Sequence, residues 1–206
     1  MYTIDEETFN SFQLVGRDLS NRGLIGSHAG NLSIRSGGKI IITRRASMLG
    51  WLTPEDLVVT SLEQEDSFSG LIASTETEVH RQIYLNTDAM AVIHAHSPCC
   101  TALSIVEDEI TCIDAEGMFL YKKIPVVECD VPAGASEAAI KVPPMLKNYP
   151  VVVVRSHGVF AKGSTLEDAL QNVTGTEQSA DIRYRVHLMG LPIIRDYATE
   201  KGFSHW

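Results

Sequence analysis

Apolar positions along this chain follow two spacings, and the changes between them mark its elements. Phe9, Phe12, Leu14, Val15 and Leu19 recur at roughly helical intervals, which predicts a helix over residues 5–22 stopping at Gly23. Two short apolar runs, at 32–35 and 39–43, flank Ser36-Gly37-Gly38 in the pattern of a β-hairpin. Another strand is expected over 57–62. A helix over 75–85 follows, with Ser74 or Thr75 as its N-cap and carboxylates in its first turn, where the helix dipole favours them. Residues 91–96 read as a buried strand, and Pro98, suited to a first helical turn, opens a helix to about residue 106. A strand at 125–128 and a helix at 136–146, ended near Pro150, come next. Strands at 151–155 and 159–161 lie either side of Ser156-His157-Gly158, and a long helix over 165–188 begins with Glu167 and Asp168 in its first turn. Helices and strands are mixed, yet several strands join through short turns. That combination predicts an α/β fold with a largely antiparallel or mixed sheet flanked by helices.

Composition narrows the classes. At 206 residues, 44% hydrophobic and 21% charged, the chain has the size of one domain over 1–206 with a sizeable core. It carries 17 basic against 26 acidic residues, a net charge of −9, and has no Lys or Arg run, so nucleic acid is not an expected partner. No apolar stretch is long enough to span a bilayer, and Met1-Tyr2-Thr3-Ile4-Asp5-Glu6 does not read as a signal peptide. Cys99, Cys100, Cys112 and Cys129 form no Cys-x-x-Cys pair and no disulfide framework, which makes a reduced cytoplasm the expected compartment.

The candidate chemistry starts at His94-Ala95-His96. Side chains two apart on a strand leave from one face, so both imidazoles can reach one metal ion. His157 ends a second apolar strand, Val151-Val152-Val153-Val154. Three neutral imidazoles with an open fourth position describe a catalytic Zn²⁺ site, whereas a lone His-x-His is more often ordinary core or surface. Cys99 and Cys100 lie nearby and could bind zinc as thiolates, although buried, inert cysteine is the commoner role.

Three further features join the histidines. The glycine turn Ala29-Gly30-Asn31 enters a strand, and its amides with the Asn31 side chain can cradle an anion. Ser74 and Thr75 stand at a helix start, which suits either an anion or plain N-capping. Glu76 is a carboxylate placed for acid/base work near a metal. Glu78 is its rival but faces away from it on a helix, while His80, one turn on, shares its face and either orients the site or packs.

In this order, Gly30-Asn31-Leu32-Ser33, Ser74-Thr75-Glu76-x-x-x-His80, His94-Ala95-His96-Ser97-Pro98 and His157-Gly158 resemble the class II aldolase and adducin family, especially its L-fuculose-1-phosphate aldolase branch. The resemblance covers about residues 5–190. It implies an α/β/α sandwich on a mainly antiparallel sheet, one Zn²⁺ per subunit on His94, His96 and His157, and Glu76 as the catalytic acid/base. It further implies a substrate phosphate on Asn31, Ser74 and Thr75, and a homotetramer with active sites between subunits. The implied reaction cleaves a ketose 1-phosphate to dihydroxyacetone phosphate and an aldehyde through an enediolate.

The chain also departs from that branch. Where a Thr-Pro-Thr-Gly phosphate loop is common, it reads Thr43-Arg44-Arg45-Ala46, so Arg45 can take the phosphate, hold a carboxylate of another substrate, or face solvent. His28 stands where those enzymes carry threonine, and their assisting tyrosine has no counterpart near Asp114-Ala115-Glu116. Should Glu76 prove dispensable, Glu116 and Asp114 are next in line as proton-transfer groups. Sugar-phosphate dehydration of the methylthioribulose-1-phosphate type and ribulose-phosphate 4-epimerisation are the rival reactions, the epimerase branch tending to carry aspartate at position 76. Adducin-type scaffolds lose metal ligands, whereas all three histidines are kept here.

Overall fold

A computed structural model of the chain describes residues 4–64 and 69–194. Met1–Thr3 of the N-terminal segment read above, and both ends of the 1–206 domain expectation, lie outside those residues. Helix α1 (Glu6–Asn21) is capped by Asp5, whose carboxylate accepts from the Thr8 amide at 2.7 Å. Strands β1 (Asn31–Ser36) and β2 (Lys39–Thr43) form the expected hairpin, with Gly37 at φ 59° in its turn. β3 (Leu57–Ser61), the short α2 (Ser69–Ile72), α3 (Thr77–Asn86), β4 (Ala91–Ala95) and α4 (Pro98–Ser104) follow. β5 (Glu109–Thr111), α5 (Ala115–Leu120), β6 (Lys123–Val127), α6 (Ala135–Leu146), β7 (Val151–Val154), β8 (Gly158–Gly163) and α7 (Leu166–Met189) complete the chain.

The eight strands form one sheet in the order β3-β2-β1-β4-β8-β7-β6-β5. Every neighbouring pair is antiparallel except β6 and β7, which are parallel and joined through α6. Strand alternation divides the core between the two faces of the sheet. Ile93, Val151, Val153, Val159 and Ala161 pack with Phe12, Val15 and Leu19 of α1, Leu103 of α4 and Val173 of α7. Val92, Val152, Val154 and Phe160 pack with Val79 and Ile83 of α3 and Val142 and Leu146 of α6. The result is helices on both faces of a mostly antiparallel sheet. Among the described residues no helix is long and apolar enough to cross a membrane.

Three expectations are corrected. The helix predicted from residue 75 begins at Thr77, because Ala73 bridges to Arg44 and the Ser74 amide donates to the Thr43 carbonyl, holding that stretch extended. Neither Ser74 nor Thr75 is its N-cap; Glu76 holds that position without a side-chain cap. The strand expected to reach His96 ends at Ala95, and the His96 amide donates to the Leu24 carbonyl at 2.9 Å instead. β5 and α5 add to the expected elements, since three and six residues are too few to show a period.

Candidate metal centre and active site

The site is built where β1, β4 and β8 lie side by side. His94 points to the same face as Val92, is buried, and stacks on Phe160 with ring centroids 4.4 Å apart. Its Nδ1 is 3.0 Å from the Val159 carbonyl, which can only accept, so the proton is on Nδ1 and the lone pair on Nε2. His96 Nε2 lies 3.0 Å from His94 Nε2. His157 enters from the turn after β7, where Ser156 takes the left-handed φ of 58° and the His157 amide donates to the Val154 carbonyl. The His157 ring centroid is 4.7 Å from that of His94 and 5.0 Å from that of His96.

Two glycines make this approach possible. A Cβ on Gly158 would overlap the Ala95 carbonyl oxygen and come within 3.2 Å of His94 Cε1. Gly30 has φ 78°, and a Cβ there would lie 2.9 Å from the His94 carbonyl oxygen.

These residues fit a metal. One nitrogen from each of the three histidines lies within 4.8 Å of the others, and no other such group occurs among the described residues. Burial pushes the pKa of all three imidazoles down, which keeps them in the neutral form a metal needs. The cysteines stand apart from this set. Glu177 accepts from the Cys99 and Cys100 amides, the Cys99 thiol contacts Asp181, and burial with those carboxylates pushes its pKa up to about 12.

Glu76 is buried beside the cluster, with Oε2 3.4 Å from His94 Nε2 and 2.7 Å from Asn31 Nδ2. Burial raises its pKa, while the Asn31 hydrogen bond and the neighbouring His157 and His96 pull against that rise. Glu78 is turned to Arg81 and Gln82, as its helical offset requires. His80 is fully buried; its Nδ1 pairs with Ser33 Oγ, which also pairs with Tyr84 Oη, each at 2.6 Å. Burial beside His94 drives the His80 pKa down to about 3. Asp114 caps α5 and bonds to Ser179, so it is committed away from the cluster.

A pocket of about 210 Å³ opens over the histidines and Glu76. Its wall includes all five residues expected to hold an anion: Gly30, Asn31, Arg45, Ser74 and Thr75. Arg44 also lines it but is paired with Asp56 at 2.8 Å. Arg45 is anchored only through its amide, which donates to the Ile72 carbonyl, and its exposed guanidinium has no partner among the described residues. His28 is exposed against Ser27 and does not line the pocket. Sequence reasoning missed Ala133, which also lines the pocket, and the Asn31–Glu76 bond, because nothing local ties residue 31 to residue 76. A larger cleft of about 490 Å³ between the starts of α1 and α7 brings no such chemistry together: Asp5 there caps α1 and Glu167 accepts from Ser11.

Residues 11–184 match the family described as the class II aldolase and adducin N-terminal domain. An L-fuculose phosphate aldolase of Methanococcus maripaludis is 31% identical over 174 residues, covering 84% of this chain and 94% of the relative. A methylthioribulose-1-phosphate dehydratase of Methylococcus capsulatus is also 31% identical, over 189 residues, covering 84% of this chain and 90% of the relative. The crystal structure of L-fuculose-1-phosphate aldolase from Thermus thermophilus superposes with a TM-score of 0.82 at 34% identity, covering 90% of this chain and 98% of that one.

Proposed function

The chain belongs to the class II aldolase and adducin family, and from that premise we propose that it is a zinc-dependent aldolase. In this reading it cleaves a ketose 1-phosphate, of the fuculose-1-phosphate kind, into dihydroxyacetone phosphate and an aldehyde. The observation that carries the reading is the meeting of three neutral imidazoles, a buried carboxylate and a cationic, hydroxyl-lined wall in one pocket.

When bound on His94, His96 and His157, a zinc ion supplies Lewis-acid charge to a substrate carbonyl oxygen. Glu76 lies close enough to carry the proton. Burial raises its pKa, which suits a proton carrier: as the C–C bond breaks, the hydroxyl that becomes the aldehyde gives up one proton and Glu76 delivers one to the released carbon, so the proton count is unchanged. The Gly30 turn, Asn31, Ser74, Thr75 and Arg45 hold the phosphate away from the breaking bond, which fixes the reacting carbons in register with Glu76. Arg45 contributes the full positive charge that an acidic chain of net −9 needs at this point.

The dehydratase relative favours a second reading on the same residues, loss of water from a methylthioribulose-1-phosphate-like substrate. A panel of ketose 1-phosphates decides between them: release of dihydroxyacetone phosphate supports the aldolase, and water loss without C–C cleavage supports the dehydratase. An inactive, metal-free protein on the whole panel would sink both in favour of a binding domain. The four cysteines are free, in keeping with a cytoplasmic enzyme, and the homotetramer rests on the family resemblance and is open to light scattering.

A further inference from the structure

Asn31 stands at the first residue of β1, directly opposite His94 in the antiparallel β1–β4 ladder. Cross-strand partners of this kind present their side chains on one face, with Cβ atoms roughly 5 Å apart. Glu76 reaches between the two. Its Oε2 accepts from Asn31 Nδ2 at 2.7 Å and lies 3.4 Å from His94 Nε2. The distances differ in kind, the first being a short hydrogen bond and the second a contact outside hydrogen-bond range for these atoms.

The remaining restraints on Glu76 act on its backbone. Its amide donates to Ser74 Oγ at 3.2 Å and its carbonyl accepts from the His80 amide. Nothing in those bonds fixes the carboxylate's rotamer. Asn31 does, and its own position is set by the ladder and by Gly30, whose left-handed φ turns the chain into β1. Asn31 is 5% exposed, and its Oδ1 is buried with no hydrogen-bond partner. A buried amide with half its capacity unused is costly unless something in the pocket completes it. The phosphate anchors Ser74, Thr75 and Arg45 line that same pocket.

We propose that Asn31 is a positioning residue for Glu76, holding the carboxylate beside His94 through Nδ2 while Oδ1 accepts a hydroxyl hydrogen from the bound sugar phosphate. Asn31 thereby links occupancy of the pocket to the placement of the proton-transfer group, in addition to any hold on the phosphate. The inference rests on the aldolase reading for its kinetic consequences and on the Asn31–Glu76 bond alone for its geometry.

Two measurements on the zinc-loaded protein test it. In the first, the protein is labelled uniformly with ¹⁵N and the Asn31 side-chain pair is assigned by its loss in Asn31→Asp. One Asn31 amide proton is expected downfield in the parent protein and shifted upfield in Glu76→Ala, and dihydroxyacetone phosphate is expected to move the pair. An Asn31 signal indifferent to Glu76→Ala, or to that ligand while the Ser74 and Thr75 amides respond, overturns the proposal. In the second, Asn31→Ala is expected to lower kcat by about 10- to 100-fold, with a smaller change in KM and zinc retained at one per chain. Asn31→Asp, which keeps an acceptor but turns a second carboxylate on Glu76, is expected to fall further. A raised KM at parental kcat would make Asn31 a phosphate anchor only. The amide spectrum reads the geometry whatever the substrate proves to be, so failure of the aldolase reading and failure of this one remain distinct.

Discussion

Gly158 leaves no room for a side chain beside His94: a Cβ there would come within 3.2 Å of His94 Cε1 and overlap the Ala95 carbonyl oxygen. The backbone of β8 must approach this closely for Val159 to fix the His94 tautomer. Gly158→Ala is therefore expected to cost roughly 1–3 kcal/mol of stability and to weaken zinc binding by roughly 10- to 100-fold. Thermal melts and a chelator competition measure both. Parental values in the alanine variant would mean that β8 and β4 can separate without disturbing the ligand.

His94, His96 and His157 each offer one nitrogen within 4.8 Å of the others, and a zinc ion held by all three would keep only two ligands after one is removed, below the three of catalytic zinc sites. Alanine at any of the three should take zinc from about one per chain to near zero after dialysis. His94→Ala should also lower the melting temperature most, because His94 is the buried member and stacks on Phe160. Elemental analysis beside the parent protein checks this, and stoichiometric zinc in the His157 variant would remove that residue from the ligand set.

Glu76→Gln keeps the volume and the hydrogen-bonding reach of the side chain while losing its titratable proton. Turnover should fall by roughly 100-fold or more with zinc retained. A loss of zinc in parallel would instead make Glu76 part of the metal shell.

Much of this site is legible in the sequence because its signals are short and regular. The strand-period spacing of His94 and His96 points to one shared place, and their imidazoles do meet although β4 ends at Ala95, while the apolar run before His157 marks its strand. The sandwich follows from the same alternation, which sends Val92 and Ile93 to opposite cores. What stayed hidden depends on contacts between distant segments. The start of α3 is delayed to Thr77 by a bridge from Arg44 to Ala73, and the Asn31–Glu76 bond joins residues 45 apart. The purpose of His80 was equally open, since helical spacing placed it on the face of Glu76 but could not show Ser33 and Tyr84 waiting on β1 and α3.

That buried His80 gives stability a pH dependence of known sign. Its pKa is about 3 in the folded chain against 6.5 for a free histidine, so between those values the unfolded chain binds a proton that the folded chain does not. Stability from this group is full above about pH 6.5 and falls as pH drops, by about 1.4 kcal/mol per unit, until about pH 3. Protonation of His94, His96 and His157, whose pKa values burial also lowers, adds a slope of the same sign, so the comparison is with His80→Gln, which can still bond Ser33. Denaturant unfolding between about pH 4.5 and 5.5 should show a slope shallower by about 1.4 kcal/mol per unit in that variant. Parallel curves would show that His80 takes up its proton in the folded state.

Arg45 carries the last argument, because it is the one cation lining the pocket without a partner of its own among the described residues. Its neighbour Arg44 is held by Asp56, and the Arg45 amide bond to Ile72 fixes the backbone of a residue that lines the same pocket as Ser74 and Thr75. A charge-assisted bond to a phosphate is worth about 1.5–3 kcal/mol, and the exposure of Arg45 puts the expectation at the lower end. Arg45→Ala should therefore raise KM for a ketose 1-phosphate by about 10-fold with a smaller change in kcat, and added salt should narrow the gap between variant and parent. Arg45→Lys should fall between the two, since a point charge replaces a two-pronged donor. Turnover of the unphosphorylated ketose, however slow, should be the same in all three proteins. If KM for the phosphorylated substrate is unmoved, Arg45 is a solvated residue just after β2, and the pocket draws its positive potential from the Gly30 turn and the Thr75 amide alone.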